Sequence, residues 1–275
     1  MKYPYGKTVF LTGGSSGIGL ATAEHLAING YIVYSASRNP DENGRGFESG
    51  GRICPIKMDV CDAQSVDSAA EFVLSQDVIG LVIHCAGFGI AGAGEEYQAD
   101  AITELFDTNY HGVLRVNSRF LPHMRNRGCG LCIIIGSLAG IFPIPFQSHY
   151  CSTKAALDLY AGALRMELES YGVKVCLVMP GDTKTGFTDS RRFAINDDSP
   201  YYDSCRSSVQ KMETDERNGC SPESVARVIH KLGVKKHPKA KITVGFSYKV
   251  LVFINKILPD KLRNSLLKRI YMRKS

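Results

Sequence analysis

Apolar residues along the chain follow two alternating rhythms. Short runs rich in β-branched residues read as buried strands: Lys7–Thr12, Tyr31–Ala36, Ile53–Met58, Val78–His84, Leu131–Ile135, Val173–Met179 and a last short one at Lys241–Val244. Between them, apolar residues three and four apart predict helices. One follows the first strand to about Asn29, where Gly30 stops it; others cover about Ala63–Ser75, Ala101–Arg125 and His149–Tyr171. Ser221-Pro222 opens another, with a capping serine and proline at the first helical position. Strand and helix patterns alternating at this spacing predict an α/β chain whose parallel sheet is wound by helices on both faces, in three layers.

One stretch breaks the rhythm. From about Thr185 to Ser221 the chain is polar and irregular, although it carries Phe187, Phe193, Tyr201 and Tyr202. An irregular segment of that length inside a compact domain is commonly a lid or a binding loop, with plain disorder as the alternative. The expected organisation is therefore a single catalytic domain over residues 1–247, including a substrate lid at about 182–220, then a basic amphipathic tail over 248–275.

Composition narrows the setting. No window approaches the ~20 consecutive apolar residues of a membrane span, and the first strand begins within a few residues of the start, which leaves no room for a signal peptide. A cytoplasmic location is expected. The nine cysteines are scattered and odd in number, several inside apolar strands, so they read as reduced thiols. Cys129-Gly-Leu-Cys132 lacks a second pair or a His cluster, so neither a zinc site nor, slightly less firmly, a redox pair is expected. The net charge of +6 is uneven. From Lys231 onward thirteen Lys and Arg oppose one acid, Asp260, while the body before it is mildly acidic. Without stacking aromatics or a known motif, this basic tail does not predict nucleic-acid binding.

The chemistry concentrates where strands end. After the first strand comes Thr12-Gly13-Gly14-Ser15-Ser16-Gly17-Ile18-Gly19, a glycine-rich turn entering a helix. Backbone N–H groups and the positive helix end there suit a phosphate. The second strand ends in Ser37-Arg38, with Asp41 and Glu42 only later in a loop. An arginine at this place accommodates a ribose 2′-phosphate, where an acid would bind the free hydroxyl, so NADP(H) is favoured over NAD(H). Ser137 lies just beyond the fifth strand, which ends at Gly136. Tyr150 and Lys154 stand one helical turn apart on one face. A free phenol titrates near ~10, and a lysine ammonium beside it favours phenolate, while the serine hydroxyl can donate to an oxygen gaining charge. No metal is implied.

In order along the chain, these segments resemble the short-chain dehydrogenase/reductase family over about residues 7–245. The turn from Thr12 to Gly19 matches the family's cofactor turn, Asp59-Val60 the pair that contacts the adenine ring, and Pro180-Gly181 with Thr183 and Thr185 the segment holding the nicotinamide end. Cys85-Ala86-Gly87, preceded by His84, stands where the family usually has Asn-Ala-Gly. Asn109, Ser137, Tyr150 and Lys154 match the catalytic tetrad. The resemblance implies a Rossmann-like fold and hydride transfer between a nicotinamide cofactor and a carbonyl or alcohol. Tyr150 would be the general acid/base. Lys154 would lower its pKa and hold ribose hydroxyls, Ser137 would orient the substrate oxygen, and Asn109 would hold a water relaying protons from Lys154. A dimer or tetramer through the long central helices is also implied. A nucleotide-binding redox sensor without turnover is the alternative, although such relatives typically lose the Tyr or Lys retained here.

Between Ser137 and Tyr150 the chain is unusually apolar, with Leu138, Ile141, Phe142, Pro143, Ile144, Pro145 and Phe146, and Phe88 and Ile90 lie on a neighbouring loop. If these line a cleft, the substrate is apolar; otherwise several are core. The Pro-Phe and Tyr-Cys-Ser-Thr-Lys segments look like the steroid- and retinoid-active branch, which points to a steroid or lipid-like alcohol or ketone, with a small carbonyl compound as the alternative. His149 reads as substrate contact or packing. The tail carries apolar residues from Val250 to Ile270 at helical spacing, with Lys and Arg between. It could pack on the body near the substrate mouth, lie on an anionic membrane surface or bind a partner chain. A basic rim would also suit an anionic amphiphile such as a bile acid.

Overall fold

A computed structural model describes residues 3–41 and 43–272, so Glu42 and the end of the tail, 273–275, lie outside the described residues. In chain order the elements are β1 Thr8–Thr12, α1 Gly17–Ile28, β2 Ile32–Ser37, β3 Arg45–Gly46, β4 Arg52–Lys57, α2 Ala63–Gln76, β5 Leu81–His84, β6 Ile90–Ala91, α3 Ala99–Phe106, α4 Gly112–Arg127, β7 Gly130–Ile135, α5 Ser148–Leu168, β8 Val173–Met179, β9 Arg192–Phe193, α6 Tyr202–Arg217, α7 Pro222–Gly233, β10 Lys241–Thr243, α8 Phe246–Ile257 and α9 Asp260–Tyr271.

The main sheet runs β10-β8-β7-β5-β1-β2-β4-β3. Its pairings are parallel apart from the two-residue β3, which runs against β4. Because side chains alternate along a strand, each central strand feeds two cores. Phe10 of β1 joins the layer of α2, α4 and α5, where it stacks on Phe120 at 4.4 Å, whereas Val9 and Leu11 face the layer of α1 and α7. This is the doubly wound, three-layer α/β fold. The order reverses at β1, with β2 on one side and β5 on the other. In such sheets the crevice outside the carboxyl ends at that reversal is where ligands bind.

Three expectations need correction. The helix expected over Ala101–Arg125 is two helices, α3 and α4, joined by a single wide turn of π-helix, Asp107–His111. That turn is made of Asp, Thr, Asn, Tyr and His, all modest helix formers, and Arg115 fastens its start by an ion pair to Asp107. The irregular stretch after Thr185 holds β9 and the 16-residue helix α6. The buried residues of α6, Cys205, Ser208, Val209 and Met212, have helical spacing but include one strong hydrophobe, Val209, and one methionine, so the periodicity is faint. The tail is also two helices rather than one, because Pro259 cannot continue α8 and instead starts α9. Tyr248, Val252 and Leu267 pack onto the body and Tyr271 onto the cluster around α6, while Phe246, Leu251, Phe253, Ile257 and Leu262 stay exposed.

Candidate active site

Parallel pairing brings the carboxyl ends of β1, β2, β5, β7 and β8 to one edge, together with Thr12, Arg38, Cys85–Gly87, Ser137 and Pro180-Gly181. The glycine turn after β1 is a cradle that side chains would close. Gly13 has φ +72°, and a Cβ there would lie 2.6 Å from Ala86 N; a Cβ on Gly19 would lie 2.0 Å from the Gly13 carbonyl oxygen. Thr12 fastens the same crossing, its Oγ1 accepting from Ala86 N at 3.4 Å. Ser15 and Ser16 are exposed where α1 begins, and Gly17 faces the Thr185 side chain, 3.3 Å from a Cβ placed on it. The turn thus leaves backbone donors at a helix start open beside a threonine from the other half of the sheet. That geometry fits the diphosphate of a dinucleotide.

The flanking candidates lie along the same crevice. Arg38 is exposed beyond β2. Its charge reaches Glu104 of α3, whose carboxyl is held below the usual range first by the hydrogen bond from Arg192 and also by Arg38. Asp59 accepts from Cys61 N at 2.9 Å, shaping the turn in which Val60 is buried. Thr183 donates to the Gly181 carbonyl at 2.9 Å, and Thr185 accepts from Phe187 N at 3.3 Å. Cys85 is half-buried, and its thiol is pushed up to about 12 by burial, against the pull of Lys154.

Asn109 sits in the π turn, where an extra residue swings its side chain inward; such turns are frequent at functional sites. Its amide clasps the loop after β5: Oδ1 accepts from Phe88 N and Nδ2 donates to the Phe88 carbonyl, both at 3.0 Å, with Thr153 Oγ1 at 3.3 Å from Nδ2. Gly87 passes so close that a Cβ there would meet Asn109 Oδ1 at 3.0 Å and Lys154 Nζ at 3.9 Å. Ser137 takes extended backbone after β7, and its Oγ accepts from Ala139 N at 3.1 Å. Tyr150 and Lys154 are buried on α5. The Lys154 ammonium lies 5.7 Å from the Tyr150 ring centre and donates to the Ile135 carbonyl at 3.1 Å.

Burial dominates the electrostatics of both groups. The Tyr150 phenol is raised well above its usual value, foremost by burial, and its hydrogen bond with Ser137 pulls it back down in part. Lys154 is itself lowered to about 8 by burial. The ammonium donates to the Ile135 carbonyl while lying over the Tyr150 ring.

Several partners here were not legible in the sequence. Phe187 lies against Tyr150 with ring centres 5.8 Å apart, and Arg191 covers Phe187 at 5.8 Å. Arg191 is paired with Glu216 of α6, whose other oxygen accepts from Thr188 Oγ1 at 2.6 Å. These residues fall in the stretch without period, where nothing marks one arginine among several. Tyr248 of the tail covers Gly181 and donates to Asp182 at 2.7 Å. His149 points elsewhere: it is half-buried, packed against Tyr97 and the Gly94 carbonyl.

A cavity of about 710 Å³ adjoins the site, with walls that include Ile141, Phe142, Ile144, Phe146, Tyr201 and Met272. The apolar segment before Tyr150 therefore does line a cleft, with three exceptions in the expected set. Leu138 is core, and Phe88 and Ile90 pack around Tyr150 and Phe187 instead. Ala139 and Cys151, close along the chain to Ser137 and Tyr150, belong to the cavity wall. Among the described residues no group of three or more His, Cys, Asp or Glu is placed to hold a metal ion, and no helix is long and apolar enough to cross a membrane.

The comparisons agree with this geometry. The family model for short chain dehydrogenases matches residues 7–195. The chain is 36% identical over 267 residues, 96% of its own length and 97% of the relative's, to the 3-ketodihydrosphingosine reductase of Bacteroides thetaiotaomicron. It is 35% identical to human 17-beta-hydroxysteroid dehydrogenase type 1 over 191 residues, 66% of this chain and 58% of that one. A short-chain dehydrogenase from Streptomyces avermitilis superposes with a TM-score of 0.79 at 26% identity, over 95% and 96% of the two chains. The chain belongs to the short-chain dehydrogenase family and is an oxidoreductase acting on CH–OH groups with a nicotinamide nucleotide.

Proposed function

We propose that this chain is an NADPH-dependent reductase of a ketone carried on a long-chain lipid. The observation that carries the reading is the apolar cavity walled by Ala139 and Cys151, neighbours in the chain of Ser137 and Tyr150, in a chain related over 96% of its length to a 3-ketodihydrosphingosine reductase. A wall of Ile141, Phe142, Ile144 and Phe146 suits an alkyl chain and offers little to a sugar's hydroxyls.

Asn109, Ser137, Tyr150 and Lys154 are the acting groups in this reading. When bound in the crevice, the nicotinamide supplies the hydride. Tyr150 gives its hydroxyl proton to the ketone oxygen as charge develops there. Burial keeps that phenol protonated, which is the state reduction needs. Ser137 donates to the same oxygen. Lys154, with its pKa near 8, is mostly cationic at neutral pH and favours the phenolate left behind. Asn109 ties its side chain to Phe88, so any water it holds meets its backbone. The dinucleotide itself is held by Thr12, Gly13, Ser15, Ser16, Gly17, Ile18 and Gly19 at the turn. Asp59, Val60 and Cys85–Gly87 serve the adenine and ribose side, and Pro180, Gly181, Thr183 and Thr185 the nicotinamide end. Arg38 selects the 2′-phosphate, hence NADP(H) over NAD(H).

The tail serves a lipid substrate by resting on an anionic membrane surface. Its exposed Phe246, Leu251, Phe253 and Ile257 lie among exposed Lys249, Lys256, Lys261, Lys268 and Arg269, and Met272 at its end borders the cavity. The body is a cytoplasmic homo-oligomer, which suits Cys132, Cys176 and Cys205 as small core residues and the exposed Leu159 and Met166 of α5. The human relative named a hydroxysteroid dehydrogenase supports a second reading, a steroid ketone in the same cavity. NADPH oxidation with a long-chain 3-ketone, a steroid ketone panel and a short ketone separates the two; preference for the steroid overturns the lipid-chain reading.

A further inference from the structure

The guanidinium of Arg191 stands out among the buried polar groups. Its side chain is 2% exposed, and Nη2 is paired with Glu216 Oε1. Nε and Nη1 are buried with no hydrogen-bond partner among the described residues. Leaving such donors idle costs stability, most of all on a charged group, so a ligand that supplies acceptors recovers a real penalty. The group lies one aromatic ring away from Tyr150. Arg191 covers Phe187, Phe187 covers Tyr150, and the charges of both Arg191 and Glu216 are felt at the Tyr150 phenol.

The charge balance restricts what can fill the place. Arg191 and Glu216 neutralise one another, so a carboxylate or phosphate brought to the idle donors would meet Glu216 as a like charge. A bare cation would suit Glu216 but leave Nε and Nη1 empty. A hydroxyl next to an ammonium answers both. We propose that Arg191 and Glu216 form the subsite for a polar amino-alcohol head beside the reacting ketone, with Glu216 receiving the ammonium and Arg191 the hydroxyl oxygen. This inference rests on the long-chain ketone reading and adds its polar end. The alkyl chain lies in the cavity and the head lies under α6, so the residues after Thr185 discriminate among long-chain ketones by their head group. Thr188 holds the second oxygen of Glu216 and fixes its direction.

The test compares kcat/KM with NADPH for a long-chain 2-amino-1-hydroxy-3-ketone, its N-acetyl derivative and a headless ketone of equal length. The wild-type chain should prefer the free amine by tenfold or more. Glu216→Gln, which keeps the shape and an acceptor for Thr188, should lower kcat/KM for the free amine by roughly 10- to 100-fold, matching a charged hydrogen bond, with less than about threefold change for the headless ketone. Arg191→Lys should act in the same direction. Because the headless ketone reports folding and cofactor use, equal losses on all three substrates overturn the inference. So does a wild-type chain that reduces headless and amine-bearing ketones alike, which leaves the long-chain reading standing. A wild-type chain that reduces neither overturns both.

Discussion

Lys154 donates its hydrogen bond to the Ile135 carbonyl, 3.1 Å away at the end of β7. The residue assigned to tuning the Tyr150 phenol is thus anchored to the strand that delivers Ser137. The carbonyl that binds the ammonium lies two residues before Ser137.

Burial lowers Lys154 to about 8 from 10.5, so the unfolded chain holds that proton more tightly. The resulting penalty on folding is complete below about pH 8 and fades as pH rises towards 10.5. Lys154→Met should therefore be more stable than the wild type at pH 7.5 without cofactor, and the gap should narrow by pH 10. Turnover should fall at least 100-fold. Urea midpoints of both chains at the two pH values check the first part and steady-state rates the second.

His84 donates from Nε2 to Asn117 Oδ1 at 2.8 Å, and its Nδ1 is buried without a partner among the described residues. Burial lowers its pKa to about 4, against the hydrogen bond to Asn117, from the usual 6.5. Its folded-state pKa is depressed, so its contribution is complete above about pH 6.5 and is lost as pH falls towards 4. Between pH 7 and pH 5 this one group should cost about 2 kcal/mol of stability. His84→Gln, which cannot be protonated, should lose less stability over that interval by this amount in urea unfolding.

Arg38 is exposed at the carboxyl end of β2, with Asp41 the nearest acid after it in the described sequence. Arg38→Asp should invert the ratio of kcat/KM for NADPH and NADH, by one to two orders of magnitude for loss of a charged contact. The effect should lie in KM for the dinucleotide. An unchanged ratio would remove Arg38 from cofactor selection.

The tail's basic residues and apolar face make separable contributions to a membrane contact. Charge reversal at Lys261, Lys268 and Arg269, all exposed on α9, should abolish co-sedimentation with vesicles rich in anionic lipid while sparing turnover of a short, soluble ketone. Each such charge is worth about 1 kcal/mol near an anionic surface. Wild-type chain that stays in the supernatant contradicts the contact.

The alternation of strands and helices was legible because a parallel sheet buried on both faces demands unbroken apolar runs such as Val173–Met179, which β8 matches residue for residue. Ser137, Tyr150 and Lys154 could be brought together from spacing and strand position alone. Other features are written in tertiary terms. The π turn at Asn109 has no periodic signature, because one added residue hides within a helical pattern. Helix α6 buries a cysteine and a serine where a hydropathy pattern expects leucines. Arg191 gains its meaning from Phe187 and Glu216, neighbours supplied by the fold. Spacing on one helix face put Lys154 beside Tyr150, but the Ile135 carbonyl that the ammonium also binds is supplied by β7 and has no mark in the sequence.

The central claim is that the Tyr150 hydroxyl delivers the proton to the substrate oxygen, and it is tested most directly by Tyr150→Phe. With NADPH and a long-chain 3-ketone, kcat should fall by about 100- to 10,000-fold, the usual worth of a positioned proton donor, while NADPH binding followed by fluorescence stays within about threefold. A variant that keeps wild-type kcat with the same dinucleotide affinity would contradict it.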